Sequence, residues 1–449
     1  MKSNIRIAIP EKAAYIMKTL QAAGFEAYAV GGCVRDSILG REPEDWDITT
    51  SARPEQVKAL FPHTIDTGIQ HGTVTILIDG EGFEVTTYRI DGKYEDNRHP
   101  KEVIFTPNLR EDLRRRDFNV NAMAYNEESG LIDYYGGLED MERGVICCVG
   151  MPEERFREDA LRILRAVRFS AQLGYHIDSH TMTGIRRLAP ALSNISAERI
   201  QAELVKILTS PHPDYLRGAY SLGVTKMFLP ELDRAMETPQ NHIHHIYSVG
   251  EHILHSLKFV EADKVLRLTM LLHDIGKPET LTTDGDGVTH FYGHAKVSAE
   301  MAGTILRRLK FDNDTIHMVC RLVMFHDYGN DVEPDARIVR RAVNKIGNEA
   351  FPLLLAVKYA DICAQSNYQR EKKLSRLEEW KRLYIEEKEK QHCVCLKELA
   401  VTGSDLITMG MKPGKALGDM LNRLLELVLD DPSLNEREKL LAEAEKLMI

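Results

Sequence analysis

Hydrophobic and polar positions fall into two regimes along this chain. Up to about residue 150 the period keeps changing. Residues 11–25, which contain EKAAYIMKTLQAAG, read as a helix ended by Gly24. EAYAV then reads as a short strand, followed by a Gly31-Gly32 turn. VRDSILG opens a helix that closes at Gly40, and DWDITT alternates as a strand does. HGTVTILIDGEGFEVTTYR predicts two strands around an Asp-Gly-Glu-Gly turn. Residues 91–114 are polar and irregular and read as a loop. A shorter β element and the turn-rich LIDYYGGLEDMERG follow. This is an α/β region of ordinary domain size.

From Met151 onward the period is helical almost throughout. EERFREDALRILRAVRFSAQLG predicts one strong helix ending near Gly174, and ISAERIQAELVKILTS another, N-capped by Ser196. A histidine-rich segment begins near Gln240. QREKKLSRLEEWKRLYIEEKEKQ, residues 369–391, reads as a long solvated helix. Short helices and Gly/Pro turns run from there to Ile449, with no internal repeat and no low-complexity tract. The expected organisation is a head over 1–150, a helical neck over 151–238, a metal-binding domain over 239–368 and a helical tail over 369–449.

Composition narrows this picture only a little. A chain of 449 residues is too long for one core. No 18-residue apolar run is present, so no transmembrane helix is expected. The N-terminus lacks a signal-peptide core, and a cytoplasmic location is the default expectation. Seven cysteines without framework spacing read as reduced thiols. The net charge of −10 argues against indiscriminate coating of nucleic acid, so local arginine clusters carry more weight than the total.

Two constellations carry chemistry. In the first, alternation along a strand would point Asp45 and Asp47 the same way. Paired carboxylates on one face suit Mg²⁺, and two-metal sites serve in-line displacement at phosphorus. Glu84, on a neighbouring strand, is a candidate third carboxylate. Gly31 and Gly32 before a helix start let the backbone approach a phosphate, with Arg35 adding charge beside it. Either feature alone is a common surface turn, but together, in this order, they are specific.

GGCVRD followed by DWD resembles the signature of the tRNA nucleotidyltransferase / bacterial poly(A) polymerase family, within the polymerase β-like superfamily. DLRRRDFNVNAM at 112–123 is similar to the family's Arg-Arg-Asp motif, with Arg115, Arg116 and Asp117. REDALRILRAVRF at 157–169 is similar to its Glu-Asp-x-x-Arg motif, with Glu158, Asp159 and Arg162; Arg165 lies one turn on. ISAERIQAELVKIL and the tail LAVTGSDLITMGMKPGKALG also match, so the resemblance covers nearly the whole chain. One departure is Asn119, where the family often has Thr.

The resemblance implies an α/β polymerase β-like head, an all-α body, and template-independent addition of C, C and A from CTP and ATP to the tRNA 3′ end. Asp45 and Asp47 would hold Mg²⁺. Arg115, Arg116, Asp117, Asp159, Arg162 and Arg165 would bind the nucleotide, with Asp159 and Arg162 reading the base. An arginine offers only donors and a carboxylate only acceptors, so the pair matches C or A and refuses G and U. On one continuous helix the two would stand at i and i+3, on one face. The full-length segment 89–110 is characteristically shortened in CC-only relatives, so terminal A addition is expected here. A-only addition and polyadenylation stay open on these residues. No membrane and no obligate protein partner is implied.

The second constellation is His273-Asp274 at the end of the apolar LRLTMLL, with further histidines on both sides. It resembles the HD phosphohydrolase superfamily. Carried over, the ligands are His252, His273, Asp274, His294, His326 and Asp361, a set suited to Mn²⁺, Ni²⁺, Fe²⁺, Zn²⁺ or Mg²⁺. The implied activity is hydrolysis of a phosphomonoester or cyclic phosphodiester, with Lys277 meeting the phosphate.

Overall fold

The chain was analysed as a computed structural model, which describes residues 5–92 and 103–448. It divides into two units, Met1–Pro230 and Glu231–Ile449.

The first unit is built on a mixed seven-stranded sheet. Its strands are β1 (Ala27–Val30), β2 (Ile48–Thr50), β3 (Thr64–Gly68), β4 (Thr73–Ile78) and β5 (Glu81–Thr87), with β8 (Met123–Asn126) and β9 (Gly130–Asp133). The order is β3-β4-β5-β2-β1-β8-β9. Only β2 and β5 run parallel, with Ile48 opposite Val85. The β4–β5 hairpin turns at Asp79 and Gly80, both at positive φ, as the Asp-Gly signal required. Tyr28, Val30 and Ala124 of the sheet pack on Tyr88, Leu109 and Leu113 to form a core under one face.

The polar stretch 91–114 is more regular than its composition indicated. β6 (Arg89–Asp91) pairs with β7 (Val103–Phe105), and a helix runs over Leu109–Arg114. Asn108 caps that helix through its side chain. The middle of the anticipated loop, residues 93–102, lies outside the described residues.

Two further readings are corrected. β2 begins at Ile48, so Asp45 and Asp47 lie in the extended segment leading into the strand rather than within it. The long helix expected over 153–174 is two helices, Pro152–Glu158 and Leu161–Leu173. Asp159 is extended between them (φ −142°, ψ 106°) and accepts the Leu161 amide at 3.0 Å. A short acidic side chain that caps the following turn competes with helical continuation, which is the physical cause of the break.

The second unit is helical apart from one two-stranded ribbon among its described residues. The charged helix Arg370–Glu389 is not solvated all round. Trp380 and Leu383 are buried in a core with Leu322, Val339, Phe351 and Leu354. Leu377, Trp380 and Leu383 follow helical spacing, a narrow apolar stripe masked by the surrounding charge. A separate core joins the helices Lys415–Asp430 and Arg437–Met448. No helix among the described residues is long and apolar enough to cross a membrane.

Candidate functional site

The first cleft lies in the first unit, at the edge where β2 meets β5. Asp47, Glu84, Arg115, Arg116, Asp117, Asp159, Arg162 and Arg165 line one cavity, with Arg199 beside them. Sequence distances of more than a hundred residues are closed there by the sheet and the helices behind it. Asp47 and Glu84 meet because each precedes one of the paired residues Ile48 and Val85 in parallel strands. Asp45, Gly31, Gly32 and Arg35 are outside the wall.

The carboxylates feel one another. Partial burial and the Arg116-opposed charge of Asp45 raise Asp47 above the usual carboxylate range. Partial burial, Asp47 and Asp45 do the same for Glu84. Mutual repulsion of this kind is relieved by a cation. The three are looser than a tight ligand cluster: among the described residues, the groups with three donor atoms all within 4.8 Å of one another lie in the second unit.

Arg116 makes no ion pair among the described residues, although Asp112, Asp47 and Asp117 oppose its charge from further away. Its Nε is buried and has no hydrogen-bond partner. Burial lowers its affinity for the proton, against the pull of Asp112. Gly31 makes room for it: with φ +84°, a Cβ at Gly31 would stand 2.8 Å from Arg116 Nη1. The glycine turn therefore serves the arginine as well as the backbone.

The other arginines are tied down. Arg115 Nε donates to buried Asp112 at 2.9 Å. Arg165 Nε donates to Asp117 at 2.7 Å, and Asp117 also accepts the Phe118 amide and the Asn121 amide group. Burial alone would raise Asp117, but Arg165 and Arg162 bring it down to about 2 from 3.8. Its ionised form therefore stabilises the fold above pH 4, and that contribution is lost as pH falls toward 2. Asp117→Asn should remove about 2 kcal/mol of stability at neutral pH and flatten the acid limb of a pH-dependent denaturation curve.

Arg35 is buried, donates to Asp36 and to Asn121 Oδ1, and lies 5.1 Å from the Phe169 ring centroid. It braces the turn from behind, which differs from the phosphate contact expected of it.

Asp159 and Arg162 do not pair with each other. Arg199 holds Asp159 through two bonds, 3.3 and 2.7 Å. Arg162 Nη1 donates to Glu158 at 2.7 Å and Nη2 to the Arg115 carbonyl at 2.9 Å. Each member of the pair is thus fixed by a neighbour from another segment. Sequence reasoning did not assign Arg199 or Asn121 a role. Arg199 sits in ISAERI, a matched stretch whose charged residue was the available signal.

The second site lies in the second unit. His252 comes from the helix Val249–Ser256, and His273-Asp274 follow the helix Lys264–Leu272. His294 opens the helix His294–Arg308, His326 follows Asn313–Phe325, and Asp361 is within Ala350–Ala364. All six expected ligands converge. They form two groups that share Asp274: His252 and His273 on one side, His294 and His326 on the other. Asp274 Oδ2 lies 3.5 and 3.4 Å from the Nε2 atoms of His252 and His273, and its Oδ1 3.4 and 3.5 Å from those of His294 and His326. Asp361 adds a carboxylate 2.9 Å from His252.

The donor set fits a metal. Each of the four imidazoles faces a backbone carbonyl with Nδ1, at 2.7 to 3.3 Å. Donation there leaves the Nε2 lone pairs pointing into the centre. Two pairs of Nε2 atoms approach to 3.2 Å, and Asp274 Oδ1 is buried without a hydrogen-bond partner. Burial opposes charge here, yet Asp274 and Asp361 raise His273 to about 10, and Asp274 and Asp327 raise His294 to about 9. The carboxylates demand positive charge, which a divalent cation supplies.

Asp327 was missed by the sequence reading. It lies 3.0 Å from His294 Nε2, and the His326-Asp327 dipeptide repeats the His273-Asp274 pattern. Lys277 bonds Asp274 at 2.7 Å and Gln240 at 3.0 Å, so it is held by a ligand rather than free for a phosphate. All seven cysteines are free thiols.

Comparison with known proteins places the chain in a family. Residues 27–147 match the family model "Poly A polymerase head domain". Residues 174–236 match "Probable RNA and SrmB-binding site of polymerase A", and 279–444 match the model for tRNA nucleotidyltransferase domain 2. The chain is 35% identical to the CCA-adding enzyme of Levilactobacillus brevis over 442 residues, 96% of each chain. It is 52% identical to that of Limosilactobacillus reuteri strain DSM 20016 over 206 residues, 46% of this chain; that stretch spans about half (51%) of the relative's length. The Bacillus stearothermophilus CCA-adding enzyme solved in complex with CTP superposes with a TM-score of 0.73 at 28% identity, covering 97% of this chain and 96% of that one. The Thermotoga maritima CCA-adding enzyme complexed with tRNA shares the fold, with a TM-score of 0.61 at 20% identity over 98% and 97% of the two chains. On the near-full-length identity, the chain belongs to the CCA-adding enzyme family of tRNA nucleotidyltransferases.

Proposed function

We infer that this chain adds C, C and A from CTP and ATP to the 3′ end of tRNA, releasing pyrophosphate. The observation that carries the reading is the cleft lined together by acidic Asp47 and Glu84, by Arg116 with its unbonded Nε, and by Asp159 and Arg162. Asp45 and Asp47, with Glu84 beside them, would hold Mg²⁺, whose charge would orient the triphosphate and stabilise the reacting oxygens. Arg116 is the residue for the incoming phosphates, because an unpaired buried guanidinium gains most from an anion. Asp117 and Arg165 keep the wall rigid. Gly31 and Gly32 give the backbone and Arg116 their close approach.

Base choice follows from Asp159 and Arg162. Cytosine and adenine each show an amino donor beside a ring acceptor, while guanine and uracil show the reverse. Arg199 and Glu158 fix the pair's orientation, so no nucleic-acid template is needed. Replacing Arg162 with Ala should lower the preference for CTP over UTP by roughly ten- to a hundredfold, measured by single-nucleotide incorporation into tRNA. Unchanged discrimination would remove Arg162 from base reading. The helical segments 151–238 and 369–449 are the parts assigned to tRNA, through duplex shape and phosphate contacts. Offering each of the four nucleoside triphosphates singly tests the reading as a whole: C and A should be incorporated, G and U refused.

A second activity is favoured by the bridging position of Asp274 between two histidine pairs. His252, His273, Asp274, His294, His326 and Asp361, with Asp327, would hold one or two divalent ions of the Mn, Ni, Fe, Zn or Mg class. A bound ion would supply an activated water for phosphate-ester hydrolysis. The protein's own part is to hold the imidazoles in one tautomer and to keep Asp274 in place through Lys277.

A further inference from the structure

The histidine–aspartate centre lines one cavity through Asp274, His294, His326 and Asp361, and borders a second of different chemistry through Asp361. Both are lined by His244, His245, Asp361 and Gln365. One continues into a wall of Lys358, Lys372, Lys373 and Arg376, whose four cations outnumber the carboxylate of Asp331 there. The other continues past His290 and Tyr292.

The cationic wall is under-neutralised. Lys358 is buried, and its Nζ donates to the His326 and Tyr328 carbonyls and to the Asn330 side chain. Lys373 Nζ donates to Gln365 Oε1 at 2.6 Å and contacts His244 Nδ1 at 3.0 Å. All these partners are neutral, and among the described residues neither lysine has an ion-pair partner. Arg376 is paired, with Glu333. Asp361 and Asp331 oppose the charge of Lys373 only from beyond ion-pair distance, so a partly buried ammonium bonded to neutral partners still gains from an anion. Metal ions on Asp274 and Asp361 would add further positive charge beside it.

The opposite cavity offers a ring. Tyr292 is 78% exposed and lies parallel to His290, with centroids 5.4 Å apart and planes 8° apart. His290 lies alongside the ring and most of Tyr292 is exposed. A large exposed aromatic held flat is a stacking platform for a base.

We propose that this centre takes a nucleotide carrying two separate phosphate groups: the base on Tyr292, the scissile ester over the histidine–aspartate ligands, and the second phosphate on Lys373. The assignment rests on the hydrolytic reading of the centre. The reaction is balanced by water alone. Its oxygen forms the new bond to phosphorus, the ester P–O bond breaks, and the departing oxygen takes the proton. A free nucleoside bisphosphate and a phosphorylated RNA end share this chemistry.

Calorimetric titration of the full chain tests the proposal. The probes are adenosine 3′,5′-bisphosphate, AMP, and a short RNA ending in a 3′-phosphate. The bisphosphate should bind at least about tenfold tighter than AMP. Lys373→Met should abolish that preference, Lys373→Arg should keep it, and Tyr292→Ala should weaken both nucleotides. Tighter binding of the RNA than of the free bisphosphate would identify the RNA end as the source. Equal affinities for bisphosphate and AMP, or a preference that survives Lys373→Met, would overturn the subsite. Bound Mn²⁺ per chain is measured on the same samples. Wild-type protein that holds no Mn²⁺ would defeat the hydrolytic reading, while the bisphosphate preference of the metal-free chain would still decide the subsite.

Discussion

Replacing Asp47 with Asn should reduce nucleotide addition by roughly 10²–10³-fold or more, with the fold intact. The carboxylate has no hydrogen bond among the described residues, and its residue is exposed where it lines the cleft. Partial burial and Asp45 disfavour its charge in the absence of a cation, and its own charge in turn raises Glu84. Asparagine keeps the shape and removes one negative charge, so repulsion falls and stability should change by no more than about 0.5 kcal/mol. A large activity loss with an unchanged melting curve separates a metal-holding role from a structural one. Retained activity would take Asp47 out of the chemistry, and a collapsed melting curve would make it structural.

Replacing Asp274 with Asn should empty the second site. Asp274 is buried, its two oxygens face two different histidine pairs, and Oδ1 has no other partner. Losing this shared ligand should weaken divalent-metal binding by roughly a hundredfold or more, seen as loss of stoichiometric metal after desalting. It also leaves Lys277 without its carboxylate, so some loss of stability accompanies it. Nucleotide addition should survive. Metal affinity should fall as pH drops, because protons compete for the same imidazoles. An Asp274→Asn chain that still carries stoichiometric metal would contradict the bridging assignment.

The two sites were legible to different depths. The order of elements in the head followed from period changes and from the Gly-Gly and Asp-Gly turns, which are local signals. The six histidine and aspartate residues that converge in the second unit were all named, because the His-Asp pair anchors the set and the resemblance to the HD superfamily supplied the others. What could not be seen is tertiary. Nothing in REDALRILR marks Asp159 as a break rather than a helical position, since the interruption depends on its capping bond to Leu161 and its grip on Arg199, forty residues away. Arg35 looked like a phosphate ligand beside the turn, but its partners Asn121 and Phe169 come from later segments. The charged helix near 380 concealed its buried face because a stripe three residues wide barely shows against so many lysines and glutamates.

Ordered CCA addition by the head is tested most directly by one measurement. Purified chain with Mg²⁺ is given three tRNA transcripts, ending before CCA, after C and after CC. Each receives CTP, ATP or both, and product lengths are read on a sequencing gel. The expected result is growth of every transcript to CCA with both nucleotides, followed by arrest. Extension of the CC-ending transcript alone, or long A tails on any RNA, would contradict it.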